Sequence, residues 1–502
     1  MKILNFPLLL TACLLVFSHL ATQASANEQF EITHTLTVEL SLEDRQLKAT
    51  DHLTRSDPKN PWPLFWHLAP QATDIQATAD GQPLTHQFID GKLSLPELLA
   101  TTEVLTLSWQ AHFADPIPEQ TVGIEDPSYG VRATIHEKGV FLSAQSDWLP
   151  SAAGYPATSR LTVIGPRGLI AVSNGLLLGI EHKGVHTVSH WHNRTPQTRQ
   201  ALSAGFLELS QTEHNNTQLV ILFSKENQSL ALSYLEATRQ YLDLYTELLG
   251  PYPYDKFAVV ENFYPTGYGL PGWTLIGNRV LRLPFILTSS LPHEIVHAWW
   301  GNSVGVDYGS GNWCEGLTTY LADYLLKELS NPNEAREYRL KILRDYASLV
   351  NSGNDFPLRD FHSRHNKVEQ AIGYGKAAMV FHMLRQKIGD QPFWLGLRQL
   401  ARDFSGETAS WSDLQNIFEK SSGEKLGNFF EQWIDRKEAP QLSLQETLHY
   451  QLNSNWVIEG KIIQQPPPYQ LEIPLQIQTE QGNSRQVIEV EAGETPFRLE
   501  TP

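Results

Sequence analysis

Two histidines and a glutamate in the segment 293–297 (HEIVH) have the residue types and the spacing of a zinc site. Because His293 and His297 are four positions apart, a helix places them on one face with Cβ atoms about 5–6 Å apart, where both imidazoles can bind one Zn²⁺. Glu294 lies beside that face, within reach of a water molecule at the metal, and is the natural general base. Histidines at this spacing also occur as ordinary core or surface residues, so the motif needs support from its context.

A catalytic zinc ion needs a third protein ligand and one open position. Glu315, in the segment 312–316 (NWCEG), opens a second apolar helix and can return a carboxylate to the same metal. A glutamate in the first turn also suits the helix dipole without any metal, so this role depends on the HEIVH motif. Cys314 is a competing ligand by type, but it points to another side of the helix, and we expect a buried thiol there.

These segments resemble the aminopeptidase N and leukotriene hydrolase group of gluzincin zinc metallopeptidases. The resemblance rests on residues 293–302 (HEIVHAWWGN) and 313–321 (WCEGLTTYL). It implies one Zn²⁺ ion held by the two histidines and Glu315, with the neighbouring glutamate as base. The chain has 17 residues between His297 and Glu315, one fewer than is usual in the family, and a shorter surface loop accommodates that difference.

A third segment, 373–378 (GYGKAA), resembles the family's element of a tyrosine, a lysine and small residues ahead of a helix. The family uses this tyrosine to donate a hydrogen bond to the oxyanion of the tetrahedral intermediate. The resemblance therefore implies that Tyr374 is catalytic, and a phenol opposite the metal is the donor that a developing alkoxide needs. A tyrosine exposed on a loop is the alternative interpretation.

The family's Gly-x-Met-Glu-Asn strand, whose glutamate binds the free α-amine of the substrate, has no intact counterpart in this chain. The corresponding segment is 267–276 (GYGLPGWTLI), in which Pro271 takes the register of that glutamate. The substrate-binding candidates in this segment are Gly269, Leu270, Pro271 and Gly272. We therefore expect a relaxed requirement for a free N-terminus, unless a carboxylate from elsewhere replaces the anchor. The acidic candidates for such a replacement are Glu125, Asp126 and Glu261.

The elements that must position these residues change in type along the chain. From about residue 30 to 209 the pattern favours strands, as in the alternating segment 32–40 (ITHTLTVEL). From about residue 219 to 436 helices dominate. One is predicted at 230–249, because Leu235, Leu242 and Leu249 have heptad spacing and a Gly-Pro pair follows the last of them. Strands return after residue 436.

This order predicts a multidomain α+β chain. We place a signal peptide at 1–26, an N-terminal β-domain at 27–212, a zinc peptidase domain at 213–438 and a small C-terminal β-domain at 439–502. The family resemblance implies a β-saddle for the first domain and a thermolysin-like, mostly helical fold for the second. It also makes Gln145, in the β-domain, a further substrate-binding candidate.

Composition narrows the class of partner. The 502 residues include 38 Lys and Arg against 55 Asp and Glu, a net charge of −17, which argues against binding to nucleic acid or to anionic lipid. The chain is 41% hydrophobic and 10% aromatic, which excludes a mainly disordered protein. We therefore expect a folded chain with no nucleic-acid partner.

The N-terminus predicts export. Lys2, the apolar stretch 8–20 and the small residues 24–26 (ASA) have the order of a signal peptide. Cleavage after them gives a periplasmic or secreted protein with no transmembrane span. The segment 10–13 (LTAC) also resembles a bacterial lipobox, so the alternative is a lipoprotein anchored through Cys13.

Taken together, the sequence predicts a zinc metallopeptidase that acts on a peptide or protein substrate. Two alternatives stay open: a catalytically silent peptide-binding protein of the same fold, and a hydrolase of a non-peptide substrate such as an epoxide, as in one branch of the family. Neither the cleavage-site preference nor the oligomeric state follows from the sequence.

Overall fold

The described part of the chain, in a computed structural model, comprises residues 31–117, 130–198, 200–265, 267–479 and 482–501. The predicted signal peptide, the alternative lipid anchor at Cys13, and the acidic candidates Glu125 and Asp126 lie outside these residues. Within them, no helix combines the length and the apolar character that a membrane span needs.

The N-terminal region is built from strands with period-two burial. In β1 the buried side chains alternate with more exposed ones, as the sequence predicts. The strands are β1 Ile32–Ser41, β2 Gln46–Arg55, β3 Phe65–His67, β4 Ala72–Ala79, β5 Gln82–Pro83, β6 Gln87–Ile89, β7 Lys92–Ser94, β8 Val104–His112, β9 Ala133–His136, β10 Gly139–Leu142, β11 Ala157–Pro166, β12 Leu169–Ser173, β13 Leu176–Lys183, β14 His186–Gln197 and β15 Leu202–Phe206. They form an eight-stranded sheet (β13-β14-β11-β1-β2-β8-β4-β5), a four-stranded sheet (β12-β15-β10-β9) and a three-stranded sheet (β3-β7-β6).

A five-stranded sheet joins this region to the helices. Its strands are β16 Glu208–His214, β17 Thr217–Phe223, β18 Lys256–Asn262, β19 Gly267–Leu270 and β20 Trp273–Gly277, in the order β16-β17-β18-β20-β19. The central strands β17, β18 and β20 run parallel and are buried on both faces, which explains their continuous apolar sequences. Val220 and Val260 pack toward the N-terminal core, whereas Ile221 and Val259 pack toward the helical core.

The helical core lies on the other face of this sheet. Its helices are α1 Ala231–Leu249, α2 Ser290–Val296, α3 Cys314–Thr318, α4 Leu325–Ser330, α5 Pro332–Leu349, α6 Lys367–Glu369, α7 Ala377–Ile388, α8 Asp390–Asp403, α9 Trp411–Ser422 and α10 Gly427–Phe430. Three π-helical segments extend or join them: Thr319–Tyr324 between α3 and α4, Gln370–Lys376 between α6 and α7, and Glu431–Asp435 after α10. Short strands β21 Gly305–Val306 and β22 Thr408–Ala409 pair in parallel.

The C-terminal region returns to strands. These are β23 Leu442–Leu452, β24 Asn455–Gln464, β25 Leu471–Thr479, β26 Gly482–Val490 and β27 Glu494–Thr501, in a three-stranded sheet (β23-β24-β27) and a two-stranded sheet (β25-β26). Gln432 holds this region to the helices, because its side chain exchanges two hydrogen bonds of 2.9 and 3.0 Å with the backbone of Gln470. The predicted multidomain α+β class is confirmed; the predicted domain boundaries stay predictions.

Candidate metal centre

Helix α2 positions the HEIVH segment. It ends at Val296, and His297 caps it with helical dihedrals, its N–H donating to the carbonyl of His293 at 3.2 Å. The two imidazole centroids are therefore 4.9 Å apart on one side of the helix, as the spacing predicts. Gly301 follows the turn after the helix with a φ of +92°, a conformation that favours glycine.

Glu315 brings its carboxylate to the same point from α3. Its Oε2 lies 3.5 Å from His293 Nε2 and 3.7 Å from His297 Nε2, and the three ligand atoms lie within 4.8 Å of one another. Ligands about 2.0–2.1 Å from a tetrahedral zinc ion are separated by about 3.3 Å. The three side chains therefore fit one Zn²⁺ ion with little rearrangement, and they leave a fourth position open.

The nitrogen of each histidine that faces away from Glu315 has a partner of its own. His293 Nδ1 lies 3.3 Å from Asp323 Oδ2, and His297 Nδ1 lies 3.0 Å from the carbonyl oxygen of Trp300. Such contacts fix the orientation and the tautomer of a metal-binding imidazole. The Sγ atom of Cys314 is buried and lies 3.5 Å from the same Nδ1 of His297, so the expectation of a buried thiol is confirmed.

Asp323 is a site residue that the sequence analysis missed. It lies in the π-helical segment Thr319–Tyr324, where the extra residue per turn changes the helical phase, so a period of 3.6 does not place it opposite His293. The available signal was a single carboxylate within the apolar run that follows Glu315.

Glu294 lies between the metal group and strand β19. A Cβ atom built on Gly269 would stand 2.7 Å from Glu294 Oε2 and 3.2 Å from His297 Cβ, so the strand can approach this closely only because residue 269 is glycine. Burial raises the pKa of the Glu294 carboxyl, and the charges of His297 and His293 oppose that rise. A carboxyl in this position can accept a proton from a water molecule at the metal and return it to a leaving group.

Tyr374 reaches the group from the π-helical segment Gln370–Lys376 and forms a hydrogen bond with Glu315. Burial raises the pKa of Tyr374, and the charge of Glu315 adds to the rise, so the phenol stays a donor. Burial also acts to raise the pKa of Glu315, but the charge of His297 and the hydrogen bond from His293 outweigh it and lower that pKa to about 2.

Neighbouring residues hold the Tyr374 ring in place. The ring of Phe361 meets it edge to face, with centroids 6.0 Å apart, and the guanidinium carbon of Arg364 lies 5.2 Å from its centroid. A Cβ atom on Gly373 would stand 2.2 Å from Phe361, so only glycine permits this packing. Tyr374 is thus half-buried on a helical segment, and not exposed on a loop.

The substrate-strand candidates lie in and directly after strand β19. Strand β19 ends at Leu270, which pairs with Trp273, and Pro271 lies in the turn between them. With Gly272 at a φ of +77°, Pro271 and Gly272 occupy the central positions of a type II turn. The strand residue that lies against Glu294 is Gly269, and the register predicted for Pro271 stays a prediction.

Two other candidates for substrate binding, Gln145 and Glu261, lie on other elements of the fold. Gln145 is exposed in a 3₁₀-helix, Ala144–Ser146, after β10. Glu261 is buried on β18, and its Oε2 accepts a hydrogen bond from the N–H of Ser224 at 2.8 Å. Neither forms a hydrogen bond or ion pair with the metal group in the part of the chain that the structure describes.

Comparison with known proteins identifies the family to which this arrangement of residues is similar. The model of the peptidase family M1 domain matches residues 286–433, which include all three ligand residues, Glu294 and Tyr374. Residues 286–433 of this chain therefore form a peptidase family M1 domain. The resemblance to the aminopeptidase N group is thereby confirmed at the level of the family.

Curated M1 relatives match at low identity. A probable aminopeptidase 1 of Sulfurisphaera tokodaii is 22% identical over 308 residues, 57% of this chain and 39% of its own length. The alanine/arginine aminopeptidase of Saccharomyces cerevisiae is 24% identical over 220 residues, 39% of this chain and 25% of its own length. The chain thus spans well under half the length of these relatives.

Solved M1 structures share the fold. A zinc metallopeptidase from Deinococcus radiodurans aligns with a TM-score of 0.63 and 20% identity, over 81% of this chain and 93% of that one. The same enzyme as a mutant bound to a Tyr-Ser-Ala substrate aligns with a TM-score of 0.62 and 19% identity, over 82% and 94%. The architecture around the M1 domain of this chain is therefore that of M1 peptidases.

Proposed function

We propose that this chain is a zinc-dependent M1 peptidase that hydrolyses peptide bonds. One observation carries the proposal: His293, His297 and Glu315 converge within the reach of a single ion, with Glu294 and Tyr374 both beside it. The chain spans only 39% of the length of the Sulfurisphaera tokodaii relative, so the proposed activity rests on the residues of the site.

The chain's own residues divide the work of hydrolysis. Zinc, when bound, supplies a Lewis acid for the scissile carbonyl and lowers the pKa of water. Glu294 accepts the proton of the attacking water and delivers it to the nitrogen of the leaving amine, so that the carboxylate is regenerated. The hydroxyl of Tyr374 donates a hydrogen bond to the oxyanion as the carbonyl carbon becomes tetrahedral.

The position of β19 favours an extended peptide as substrate. This strand is the edge of its sheet, and it pairs only with β20 among the described strands. A free edge offers backbone donors and acceptors to an added strand, which is a common way to bind peptides. Because Gly269 lets this edge approach Glu294, a peptide paired there brings its backbone to the base.

The presence of a candidate base and a candidate oxyanion donor beside the metal ligands favours an enzyme over a protein that only binds peptides. A binding protein has no need of a base and an oxyanion donor beside its metal, whereas Glu294 and Tyr374 are both in place. The group of three ligands is the one such cluster of His, Cys, Asp and Glu within the described ranges, which supports a single ion. Export remains a prediction, because its signal lies outside the described residues.

The test is turnover of a mixed peptide pool by the purified chain, read by mass spectrometry. We expect cleavage that a chelator abolishes and added Zn²⁺ restores, with Glu294→Gln as the inactive control. A wild-type chain that binds zinc and peptides but cuts none would indicate a binding protein. Hydrolysis of an epoxide substrate without any peptide cleavage would contradict the proposal in favour of the non-peptide alternative.

A further inference from the structure

A cleft of about 530 Å³ opens beside the metal group on its Tyr374 side. Its walls include Glu315 and Tyr374, so a substrate held at the metal has room to extend into it. The opposite wall comes from the loop at Tyr308 and Asn312 and from residues 362–365. The mechanism above makes no use of this outer part of the cleft.

Arg364 is the cation of the cleft. Its guanidinium carbon stacks 5.2 Å from the centroid of Tyr374, and its Nε is buried without a hydrogen-bond partner. The guanidinium forms no ion pair with any carboxylate among the described residues. By contrast, Arg359, five positions earlier, forms a 2.5 Å ion pair with Asp435. In a chain with 55 acidic residues, an arginine without a carboxylate at the mouth of a catalytic site is available to a ligand.

Three other polar residues of this wall already have partners. Asn312 donates from Nδ2 to the carbonyl of His362 at 3.0 Å, and its Oδ1 accepts from the N–H of Cys314. His365 contacts Ser363 Oγ at 2.7 Å, and its backbone N–H donates to Glu369. These contacts hold the loop in shape, and Arg364 is the arginine that this wall offers to an anion.

We infer that this cleft binds a carboxylate of the substrate through Arg364, so that the peptidase prefers peptides with an acidic group on the Tyr374 side of the cleaved bond. The inference rests on the proposed function. A guanidinium presents paired N–H donors that match a carboxylate, and such charge-assisted hydrogen bonds are stronger than neutral ones. The carboxylate is either the C-terminus of a short peptide or the side chain of Asp or Glu.

Two matched peptide sets distinguish these sources. The first compares trialanine with trialanine amide, which differ only at the C-terminus. The second compares amidated alanine hexapeptides that carry Glu or Gln at each position in turn. We expect kcat/KM to be about 10- to 100-fold higher for the acid member of at least one set, the range of a hydrogen bond to a charged group.

Variants assign that preference to Arg364. Arg364→Gln should remove it, so that kcat/KM for each acid peptide falls to that for its amide or Gln counterpart, while Arg364→Lys should retain part of it. Arg402→Gln, at an arginine exposed on α8 and paired with Asp403, is the matched control. Affinity for trialanine and its amide, measured by calorimetry in the Glu294→Gln background, gives a readout without turnover.

Three outcomes contradict the inference in different ways. Equal rates on acid and neutral peptides would overturn it and leave the peptidase function intact. A loss of kcat on all peptides in Arg364→Gln with retained zinc would mean that the arginine only positions Tyr374. Absence of cleavage of every peptide by the wild-type chain would remove the proposed function and this inference together.

Discussion

The two sides of the metal group present different chemistry to a substrate. On the helix side, His293, His297 and Glu315 each offer a side chain, and the two histidines are oriented by further contacts. On the strand side, β19 offers backbone atoms and Gly269, and its four residues include no carboxylate. The helix side therefore supplies the groups that the proposed cleavage uses, whereas this strand supplies no carboxylate for a charged α-amine.

The largest expected effects separate ligand from base on the helix side. Glu315→Ala should lose both zinc and turnover, because two histidines alone hold the ion weakly. Glu294→Gln should keep zinc yet lose about 10²–10⁴-fold in turnover, since a general base is removed. Metal analysis by mass spectrometry with kcat/KM measures both. Zinc-free Glu294→Gln beside fully loaded Glu315→Ala would reverse the assignment.

Tyr374→Phe should have the next largest effect. If the phenol meets only the oxyanion, kcat should fall about 10²–10³-fold, or about 2.7–4 kcal/mol, with little change in KM. Tyr450→Phe, at an exposed tyrosine on β23, is the control and should leave both constants unchanged. A wild-type kcat in Tyr374→Phe would place this residue outside the catalytic machinery.

Local signals in the sequence were enough for most of the helix side. The spacing within the HEIVH segment depends on helical geometry alone, and the helix predicted at 230–249 is observed as Ala231–Leu249. Alternation in 32–40 likewise predicted β1, observed as Ile32–Ser41. These features follow from short-range periodicity, which a single sequence displays directly.

The site residues that the sequence did not reveal lie where an irregular backbone sets their position. Asp323 was missed because a π-helical turn carries it to His293. Arg364 is brought to Tyr374 by the packing of a loop, for which no periodicity exists.

Asp323→Asn tests the helix side of the site at a residue that contacts the ligand His293 but is not itself a metal ligand. We expect zinc affinity to fall about 10- to 100-fold, the usual cost of losing a carboxylate behind a metal-binding histidine. Asp345→Asn makes the same change of charge at an exposed residue of α5 that pairs with Lys341, and it should leave zinc binding unaltered. Competition with a chelator measures both variants, and an unchanged affinity in Asp323→Asn would show that His293 needs no such partner.

The smallest expected effect concerns the strand side. An ammonium in a partly desolvated site needs a carboxylate, because burying it alone costs several kcal/mol. Gly269 has no side chain to supply one, Pro271 lies in a turn, and Glu261 is engaged with the backbone of Ser224. Free and N-acetylated peptides should therefore be cut at rates within about tenfold of each other, since the groups that act on the scissile bond do not require an α-amine.

The measurement is kcat/KM on paired peptides. A preference for the free amine above about a hundredfold, equal to about 2.7 kcal/mol, would show that an anchor exists, and Glu125→Gln, Asp126→Asn and Glu261→Gln variants would then identify which carboxylate provides it.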